Sequence, residues 1–402
     1  MWGMAIDVCI RGAGVVGKTL ALLLARARIR VGLVQSAAPQ GNAPDIRAFA
    51  LNAASQALLH SVRAWPEDGC AVQHMRVQGD EAGSVQFDAT AQGVDALAWI
   101  VDASALEQRL HTALSFAPEI TLLTAPEPAA LTVICEGRHS LTRDALGIQL
   151  EQQPYHQSAI AALLTTANPH QATAWQWMQG ANSADGATED QHSGEVCALL
   201  PRGASMAGNS VALVWSVQHD RVPSLLQLDD GQFTAAVQQA CGNALGAMTL
   251  SSARATWPLH MAQASRWVGQ GLGASAAVQA ADPQAAWVLA GDAAHAVHPL
   301  AGQGLNLGLG DAAELARVLA AKEYFRSYGD QRLLRRYERA RKGDAAALRL
   351  ATDGLQRLFA WDDPRVRAVR NWGMRGFDAI APLKSAVMQR AMGHTASSTH
   401  RI

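Results

Sequence analysis

Short apolar runs alternate with amphipathic segments in the first third of the chain. An apolar run over Ala5–Ile10 predicts a buried strand, Thr19–Ala25 has the spacing of a helix, and Val31–Val34 predicts a second strand. Apolar residues recur at helical intervals over Ala103–Leu114, and Ile120–Leu123 is again strand-like. Strands that alternate with helices indicate an α/β fold with a parallel sheet.

The middle of the chain has a different pattern, in which strand-like runs follow one another and predict a second, mixed sheet. The runs are Tyr155–Thr166, Ala174–Met178, Gly194–Pro201, Asn209–Val217 and Ala255–Leu259. Pro223–Leu245 has helical character, whereas Ala181–Ser193 is polar and predicts an exposed loop. Helical spacing returns at Asp311–Ala320 and again from Gln331 onward.

These patterns predict three regions. A discontinuous, Rossmann-like nucleotide-binding domain takes residues 1–72, 98–152 and 283–325. An inserted mixed β-sheet domain takes residues 73–97 and 153–282, and C-terminal helices take residues 326–402.

A glycine motif lies between the first predicted strand and the first predicted helix. Gly12, Gly14 and Gly17 have the spacing GxGxxG, with Val15 inside it. The spacing alone is a weak signal. In a strand–turn–helix–strand context, however, the glycines permit a tight turn and let a pyrophosphate approach the helix N-terminus. We therefore predict a dinucleotide site here.

A second glycine-rich stretch follows the apolar run Val288–Ala290, which predicts a buried strand. Gly291 and Asp292 end this strand, and further glycines stand at positions 302, 304, 308 and 310. The carboxyl end of a parallel strand is where ligands bind in open α/β sheets. A glycine-rich turn that opens a helix also leaves backbone N–H groups unpaired. The stretch predicts a site for an anion or an electron-rich heterocycle.

Composition limits the remaining classes of function. The 402 residues are 49% hydrophobic and carry a formal net charge of -1, which gives no electrostatic case for nucleic acid. Five scattered cysteines without a CxxC pair indicate neither a disulfide framework nor a metal site, and hence a reducing compartment. We read neither a secretory signal nor a membrane span, and expect a cytoplasmic protein.

The segment from Gly291 to Ala312, GDAAHAVHPLAGQGLNLGLGDA, resembles the second flavin-binding motif of the FAD-dependent aromatic hydroxylases, in particular the ubiquinone-biosynthesis hydroxylase family. Similar segments cover nearly the whole chain. The resemblance implies that Gly291 and Asp292 hold the ribityl chain of FAD. It also implies that a loop covers the edge of the flavin ring and shapes the oxygen site. This loop comprises Pro299, Gly302, Gln303, Gly304, Leu305 and Asn306.

Other cofactor segments depart from the family pattern. Gln35 stands where an acid is expected to hold the ribose, and Arg47 is implied to lie along the FAD. The segment Leu131–Arg143 resembles the family's "DG" motif, with Glu136 and Gly137 in place of Asp-Gly. Arg11 stands where the family usually has an apolar residue. Its side chain is expected either to extend away from the sheet edge or to contact the phosphates of the cofactor. Cys135, in place of alanine, is expected to be a buried small hydrophobe, with a redox thiol as the alternative.

The resemblance implies a reaction as well as a cofactor. NAD(P)H would reduce the flavin, and a flavin C4a-hydroperoxide formed with O₂ would hydroxylate an aromatic ring, with a prenylated phenol or quinol of ubiquinone biosynthesis as the substrate. The substrate pocket is expected to include Leu199, Leu200, Val214 and Trp215. Hydroxylation of a soluble aromatic acid and a non-catalytic scaffold in a biosynthetic complex remain alternatives.

Two further features leave their roles open. His295 and His298 are expected to pack or to contact the flavin edge rather than bind metal, because no carboxylate partner is visible near them in the sequence. From Pro364 onward the chain is basic and amphipathic. Such a tail can rest on anionic lipid at the inner membrane, or it can be an ordinary capping helix.

Overall fold

The structure is a computed structural model, and it describes residues 6–35, 45–79, 83–178, 194–203, 205, 208–272, 282–296 and 303–360. The predicted loop Ala181–Ser193, Pro299, Gly302, His298 and the tail after Pro364 lie outside these residues. The helices are α1 (Val15–Arg26), α2 (Ala53–Ser61), α3 (Ala103–Leu114), α4 (Leu141–Ala145), α5 (Arg221–Gln227), α6 (Asp230–Ala240), α7 (Gln303–Ala320) and α8 (Gln331–Ala360).

The strands form three sheets. They are β1 (Val8–Arg11), β2 (Val31–Val34), β3 (Ala48–Leu51), β4 (Cys70–Val72), β5 (His74–Gln78), β6 (Ser84–Asp88), β7 (Ala98–Asp102), β8 (Ile120–Leu123), β9 (Leu131–Ile134), β10 (Leu150–Thr166), β11 (Thr173–Met178), β12 (Val196–Pro201), β13 (Ser210–Gln218), β14 (Met248–Leu250), β15 (Ala255–Ala264), β16 (Val268–Leu272), β17 (Asp282–Leu289) and β18 (His295–Ala296).

The first sheet is the predicted nucleotide-binding sheet, in the order β16-β17-β9-β1-β2-β8. All of its neighbouring pairs are parallel except β16 with β17. Its central strands are mostly apolar, as expected for strands that helices cover on both faces. Helices α1, α3 and α7 contribute the buried leucines of this core, such as Leu20, Leu106 and Leu315. The structure thus has the α/β architecture that the sequence predicts.

The second sheet is mixed and has the order β18-β15-β10-β13-β12-β11-β5-β6, with β14 paired to β10. Helices α5 and α6 cover one face of it. Phe233 and Val237 of α6 are fully buried there against Leu213 and Trp215 of β13. Strand β10 is long and pairs with both β13 and β15. The predicted boundary between residues 152 and 153 falls inside this strand, and the division into domains remains a prediction.

A three-stranded sheet, β3-β7-β4, lies between the two larger ones. Its buried residues pack with Ala174 of β11 and with Leu200 of β12. Arg202, just after β12, donates two hydrogen bonds to Asp102, at 2.8 and 2.5 Å, where β7 ends. These contacts attach the mixed sheet to the nucleotide-binding half of the molecule.

Two predicted helices differ from those observed. The stretch Pro223–Leu245 contains two helices, because Asp229 begins α6 with a capping box in which its side chain and that of Gln232 bond each other's backbone. Helix α7 begins at Gln303, eight residues before the predicted start at Asp311. Its glycines are there for close packing: a Cβ on Gly308 would lie 2.7 Å from a methyl group of Val16 in α1.

Candidate active site

Four of the segments singled out in the sequence leave the same edge of the parallel sheet. Arg11, the last residue of β1, is in register with Val34 of β2 and Ile134 of β9, and Ile134 is in register with Leu289 of β17. The glycine turn, Gln35, Glu136 and the Gly291–Asp292 pair therefore follow at one level, at the carboxyl ends of adjacent strands. This edge is where open α/β sheets bind ligands.

The three glycines of the first turn serve different purposes. A Cβ on Gly12, where φ is +107°, would lie 2.4 Å from the backbone oxygen of Cys135, and one on Gly17 would lie 2.0 Å from that of Gly12. Both glycines are therefore required by the protein's own packing. A Cβ on Gly14 would have no atom within 4 Å. Gly14 and the N-terminus of α1, including Val15, thus face open space, as a cradle for a phosphate does.

Asp292 faces this space from the other side of the edge. Its side chain is exposed and has no hydrogen-bond partner among the residues that the structure describes. Loss of hydration, caused by the protein atoms crowded around the carboxyl, raises its pKa above the ordinary value, although His295, Arg138 and Arg47 act in the opposite direction. An exposed carboxylate that makes no hydrogen bond to the described part of the chain is suited to accept hydrogen bonds from a ligand's hydroxyl groups.

The buried carboxylate of Asp311 anchors the Gly291–Asp292 turn by a hydrogen bond. This side chain accepts hydrogen bonds from the backbone N–H of Gly291 at 2.8 Å and from Nε of Arg341 at 2.7 Å, and His295 Nε2 lies 2.6 Å away. Burial alone would raise the pKa of Asp311, but His295 and Arg341 outweigh it and hold the pKa below its ordinary value. Asp311 thus connects α7, α8 and the turn that presents Asp292.

His295 therefore has a carboxylate partner, contrary to what the sequence indicated. The partner, Asp311, lies sixteen residues further along the chain. Only the position of α7, the helix that contains Asp311, brings its carboxylate close to His295. The ring of His295 is buried and stacks on Trp267 at 4.8 Å between ring centroids. No group of three or more His, Cys, Asp or Glu side chains that could hold a metal ion occurs among the described residues.

The first turn of α7 carries the predicted flavin-edge loop, as far as it is described. Gln303, Gly304, Leu305 and Asn306 are the first four helical residues, so their backbone N–H groups have no partner within the helix. The side chain of Asn306 is engaged elsewhere: it accepts hydrogen bonds from the Asn52 backbone and the Ser55 hydroxyl, and donates one to the Ala50 carbonyl. Only the backbone of Asn306 can serve the predicted role.

The carboxylate of Glu136 forms hydrogen bonds within the protein and is not directed towards a ligand. Its two carboxylate oxygens accept hydrogen bonds from Arg11 Nε at 3.1 Å, from the hydroxyl groups of Ser140 and Thr142, both at 2.7 Å, and from the Thr142 backbone. Arg11 and Glu136 thus form a partly buried ion pair across β1 and β9. Arg11 and Glu136 both differ from the family's residues at these positions, and their opposite charges neutralise each other.

The predicted roles of Gln35 at the ribose and of Arg47 along the FAD remain proposals. Gln35 is half-buried at the end of β2, and its side chain has no hydrogen-bond partner in the described part of the chain. Arg47 is exposed, forms a bidentate ion pair with Asp45, and lies close enough to Asp292 to influence its charge. Gly137, with φ at +74°, has open space above its Cα.

Sequence analysis missed two residues of this region, Arg138 and His260. The guanidinium of Arg138 reaches the backbone oxygen of Pro258 in β15 and contributes to the charge around Asp292. Loss of hydration, together with Arg138 and His139, lowers the pKa of His260, the next residue but one along β15. Arg138 could have been found, since it follows Gly137 directly. His260 could not, because only the sheet brings it here.

The thiol of Cys135, which is half-buried, behaves as a protonated apolar group rather than a reactive one. Burial raises its pKa well above the usual range, which keeps the sulfur protonated at neutral pH. All five cysteines are free thiols.

The predicted substrate pocket needs a correction. Leu199 and Trp215 are buried in the core beneath α5 and α6, whereas Leu200 and Val214 alternate with them and point to the opposite face. Successive residues of a strand point to opposite sides, so the four cannot line one pocket. Leu200 and Val214, each half-buried, remain the candidates for the face that the helices do not cover.

These features fit FAD. An open glycine cradle accommodates a pyrophosphate, the carboxylate of Asp292 can hold ribityl hydroxyl groups, and backbone N–H groups at the N-terminus of α7 suit the electron-rich edge of a flavin.

Comparison with known proteins also indicates an FAD-binding protein. Residues 128–351 match the family described as "FAD binding domain". The chain is 31% identical to the ubiquinone hydroxylase UbiL of Rhodospirillum rubrum, over 96% of this chain and 89% of that protein. It is 28% identical to the 3-demethoxyubiquinol 3-hydroxylase of Escherichia coli, over 98% and 100% of the two chains. The fold resembles that of p-nitrophenol 4-monooxygenase PnpA from Pseudomonas putida, with a TM-score of 0.70, 15% identity and coverage of 96% and 97%.

Fold and site together define an FAD-dependent monooxygenase of aromatic rings. The similarity to UbiL extends over almost the full length of both proteins. The chain belongs to the ubiquinone-biosynthesis hydroxylase family of these enzymes.

Proposed function

We propose that this enzyme hydroxylates the ring of a prenylated phenol or quinol, an intermediate of ubiquinone biosynthesis, with NAD(P)H and O₂ as co-substrates. The observation that carries the proposal is full-length similarity to a ubiquinone hydroxylase and a demethoxyubiquinol hydroxylase. The open glycine cradle and the unpartnered Asp292 supply the matching cofactor site.

The residues of the chain would divide the work as follows. The N-terminus of α1 would hold the pyrophosphate, and Asp292 would fix the ribityl chain. Backbone N–H groups of Gln303 to Asn306 would stabilise negative charge at the flavin edge. Leu200 and Val214 would exclude water beside the substrate ring. Bound FAD supplies the electron transfer and oxygen activation that no side chain provides.

A prenylated substrate gains binding energy along its tail. Each buried methylene contributes roughly 0.8 kcal/mol, so kcat/KM should rise steeply with tail length and respond less to ring substituents. Purified holoenzyme is supplied with NADH or NADPH and with phenols of increasing prenyl length, and the hydroxylated product is measured by mass spectrometry. Faster hydroxylation of a small soluble aromatic acid than of every prenylated phenol would replace this proposal with the soluble-substrate reaction.

Delivery of such a substrate involves a lipid surface. No helix in the described residues is long and apolar enough to cross a membrane. We propose peripheral contact through the basic segment after Pro364, which holds seven arginines and lysines against Asp378 as its single acid up to residue 402. Truncation after Pro364 should reduce sedimentation with vesicles that contain phosphatidylglycerol, and unchanged sedimentation would remove the tail from the proposal.

A further inference from the structure

The connection between α7 and α8 exposes two aromatic side chains. Tyr324 is 94% exposed and Phe325 is 67% exposed, and their rings pack edge to face with centroids 5.4 Å apart. Both values are high for large aromatic residues, which otherwise bury most of their surface. This pair has no part in the flavin site described above.

Four arginines follow the aromatic pair in the chain, on the first turns of α8, and Arg332 lines the same cavity as Phe325. Arg332, Arg335, Arg336 and Arg339 are all exposed and are spaced at i, i+3, i+4 and i+7, so they share one face of the helix. None of them forms an ion pair within the described residues. We call these four arginines, together with Tyr324 and Phe325, the arginine surface.

The acidic residues nearby are already paired. Glu323 and Asp330 both bind Arg326, and Glu338 binds Lys342. Glu323 and Asp330 share Arg326 as their one partner, so the two carboxylates bring one negative charge more than Arg326 neutralises. The four arginines still give this surface an excess of positive charge. The planar guanidinium groups carry positive charge and multiple N–H donors, so this surface attracts anions.

The arginine surface is concave. A cavity of about 430 Å³ is lined by Arg326, the four arginines and Glu323. A neighbouring cavity of about 810 Å³ is lined by Phe325, Arg326, Arg332 and Asp330, among others. A lipid bilayer is flat and does not follow such a hollow. A protruding polypeptide segment can enter it and place carboxylates against the planar guanidinium groups, which bind carboxylates in a bidentate manner.

The surface also lies away from the flavin site. A Cβ on Gly329 would meet the backbone oxygen of Ala130 at 2.5 Å, and Ala130 directly precedes β9. The arginine surface is thus at the amino ends of the parallel strands, whereas the cofactor segments leave their carboxyl ends. A partner bound here leaves the entrance of the active site free.

We propose that the arginine surface docks an acidic segment of a partner protein that also carries an apolar side chain for the Tyr324–Phe325 pair. Exposed arginine and aromatic residues are the types that dominate binding energy at protein interfaces. The carboxylates would bind the guanidinium groups of α8, and the apolar side chain would cover the aromatic pair.

The test uses holoenzyme and a fluorescein-labelled peptide of alternating glutamate and leucine, with binding followed by fluorescence anisotropy. Neutralising Arg335, Arg336 and Arg339 together to glutamine should weaken binding about tenfold, since exposed ion pairs contribute modestly each. Phe325→Ser should weaken it independently of salt, whereas the arginine contribution should fall as salt rises. The matched control neutralises Arg26, Arg109 and Arg266, which are exposed elsewhere, and should leave binding unchanged.

FAD content and NAD(P)H oxidation should be unaffected in every variant, which shows that the variants are folded. Equal peptide binding by the triple variant and the control variant would overturn the proposal. Loss of binding to phosphatidylglycerol vesicles in the triple variant, with peptide binding unchanged, would also overturn it and assign the surface to lipid. An effect of Phe325→Ser no larger than that of Phe116→Ser, at another exposed phenylalanine, would remove the aromatic pair from the site.

Discussion

Asp292 is the residue on which cofactor binding depends most directly. Among the residues that the structure describes it has no hydrogen-bond partner, so replacing it removes a ligand contact without breaking a hydrogen bond within that part of the chain. We expect Asp292→Ala to weaken FAD binding by about 1.5–3 kcal/mol, the range for a hydrogen bond to a charged group. Isothermal titration of the apoprotein measures this. Asp68→Ala, at another exposed aspartate, is the control, and equal FAD affinity in the two variants would contradict the assignment.

The raised pKa of Asp292 predicts how FAD affinity depends on pH. Protonation begins at a higher pH than for an ordinary aspartate, whose value is 3.8. A protonated carboxyl loses its charge-assisted hydrogen bonds, so affinity should be full above the raised pKa and fall as the pH decreases through it. FAD titrations at a series of pH values should give a midpoint above 3.8 for the wild type. A profile of the same shape in Asp292→Asn would assign the titration to another group.

The role of a single residue could be predicted where a local motif determines it. It could not be predicted where the role depends on a partner from a distant part of the chain. The Gly12 and Gly291 positions follow from local backbone requirements, which the sequence displays. The partners of Glu136 and His295 come from other strands and helices, and the sequence does not show that Arg11 or Asp311 will meet them. The error over Leu199 and Trp215 was avoidable, because adjacent residues of a strand always point to opposite faces.

At the scale of elements, the turn between β1 and α1 separates packing from cofactor binding. Gly14 has φ at -77° and ψ at -176°, which alanine adopts without strain, and open space at its Cβ position. Gly14→Ala should therefore leave the melting temperature of the apoprotein unchanged and weaken FAD binding. Gly12→Ala should destabilise the apoprotein by about 1–3 kcal/mol or more, because of its φ value and the collision with Cys135.

Calorimetry and FAD titration of both variants test this pair. Normal FAD affinity in Gly14→Ala would mean that no phosphate lies against the turn.

Helices α7 and α8 are joined through Asp311. Asparagine at this position keeps the shape of the side chain but leaves the buried Arg341 without its counter-charge, and breaking a buried ion pair costs about 3–5 kcal/mol. We expect Asp311→Asn to lower the free energy of unfolding by that amount and to weaken FAD binding, since Gly291 loses its anchor. Urea unfolding measures the first effect. Glu314→Gln, which breaks an ion pair with the exposed Arg317 on the same helix, should cost less than about 1 kcal/mol. Equal costs would contradict the role of Asp311.

The elements themselves were largely predictable, because apolar periodicity records which face is buried. Helix α3 and strands β2 and β8 have the predicted bounds. The early start of α7 was not predictable, since its glycines lower helix propensity. Only tertiary contacts explain two of them, because Gly308 packs against Val16 and Gly310 packs against Arg341. The break between α5 and α6 was visible in Asp229 and Gln232, which form a recognisable helix start.

At the scale of the whole molecule, the Arg202–Asp102 ion pair connects the mixed sheet with the nucleotide-binding half. Both side chains are partly exposed, at 19% and 28%, so a double-mutant cycle with Arg202→Ala and Asp102→Ala should give a coupling free energy of at most about 1 kcal/mol. FAD affinity should stay unchanged, because neither residue lies at the carboxyl edge of the parallel sheet. Weaker FAD binding in Arg202→Ala would show that the two halves are more tightly linked than their contacts indicate.

The position of β17 has a consequence for the synthesis of the protein. This strand lies inside the parallel sheet, next to β9, yet it ends at Leu289 in a chain of 402 residues. While the ribosome translates the first two thirds of the message, the emerging polypeptide carries the Gly12–Gly17 turn without Asp292. The edge of β9 meanwhile stays open to other strands, which is a hazard for any unfinished sheet. The Gly12–Gly17 turn and Asp292 can therefore hold FAD together only after β17 has been synthesised and has joined the sheet beside β9.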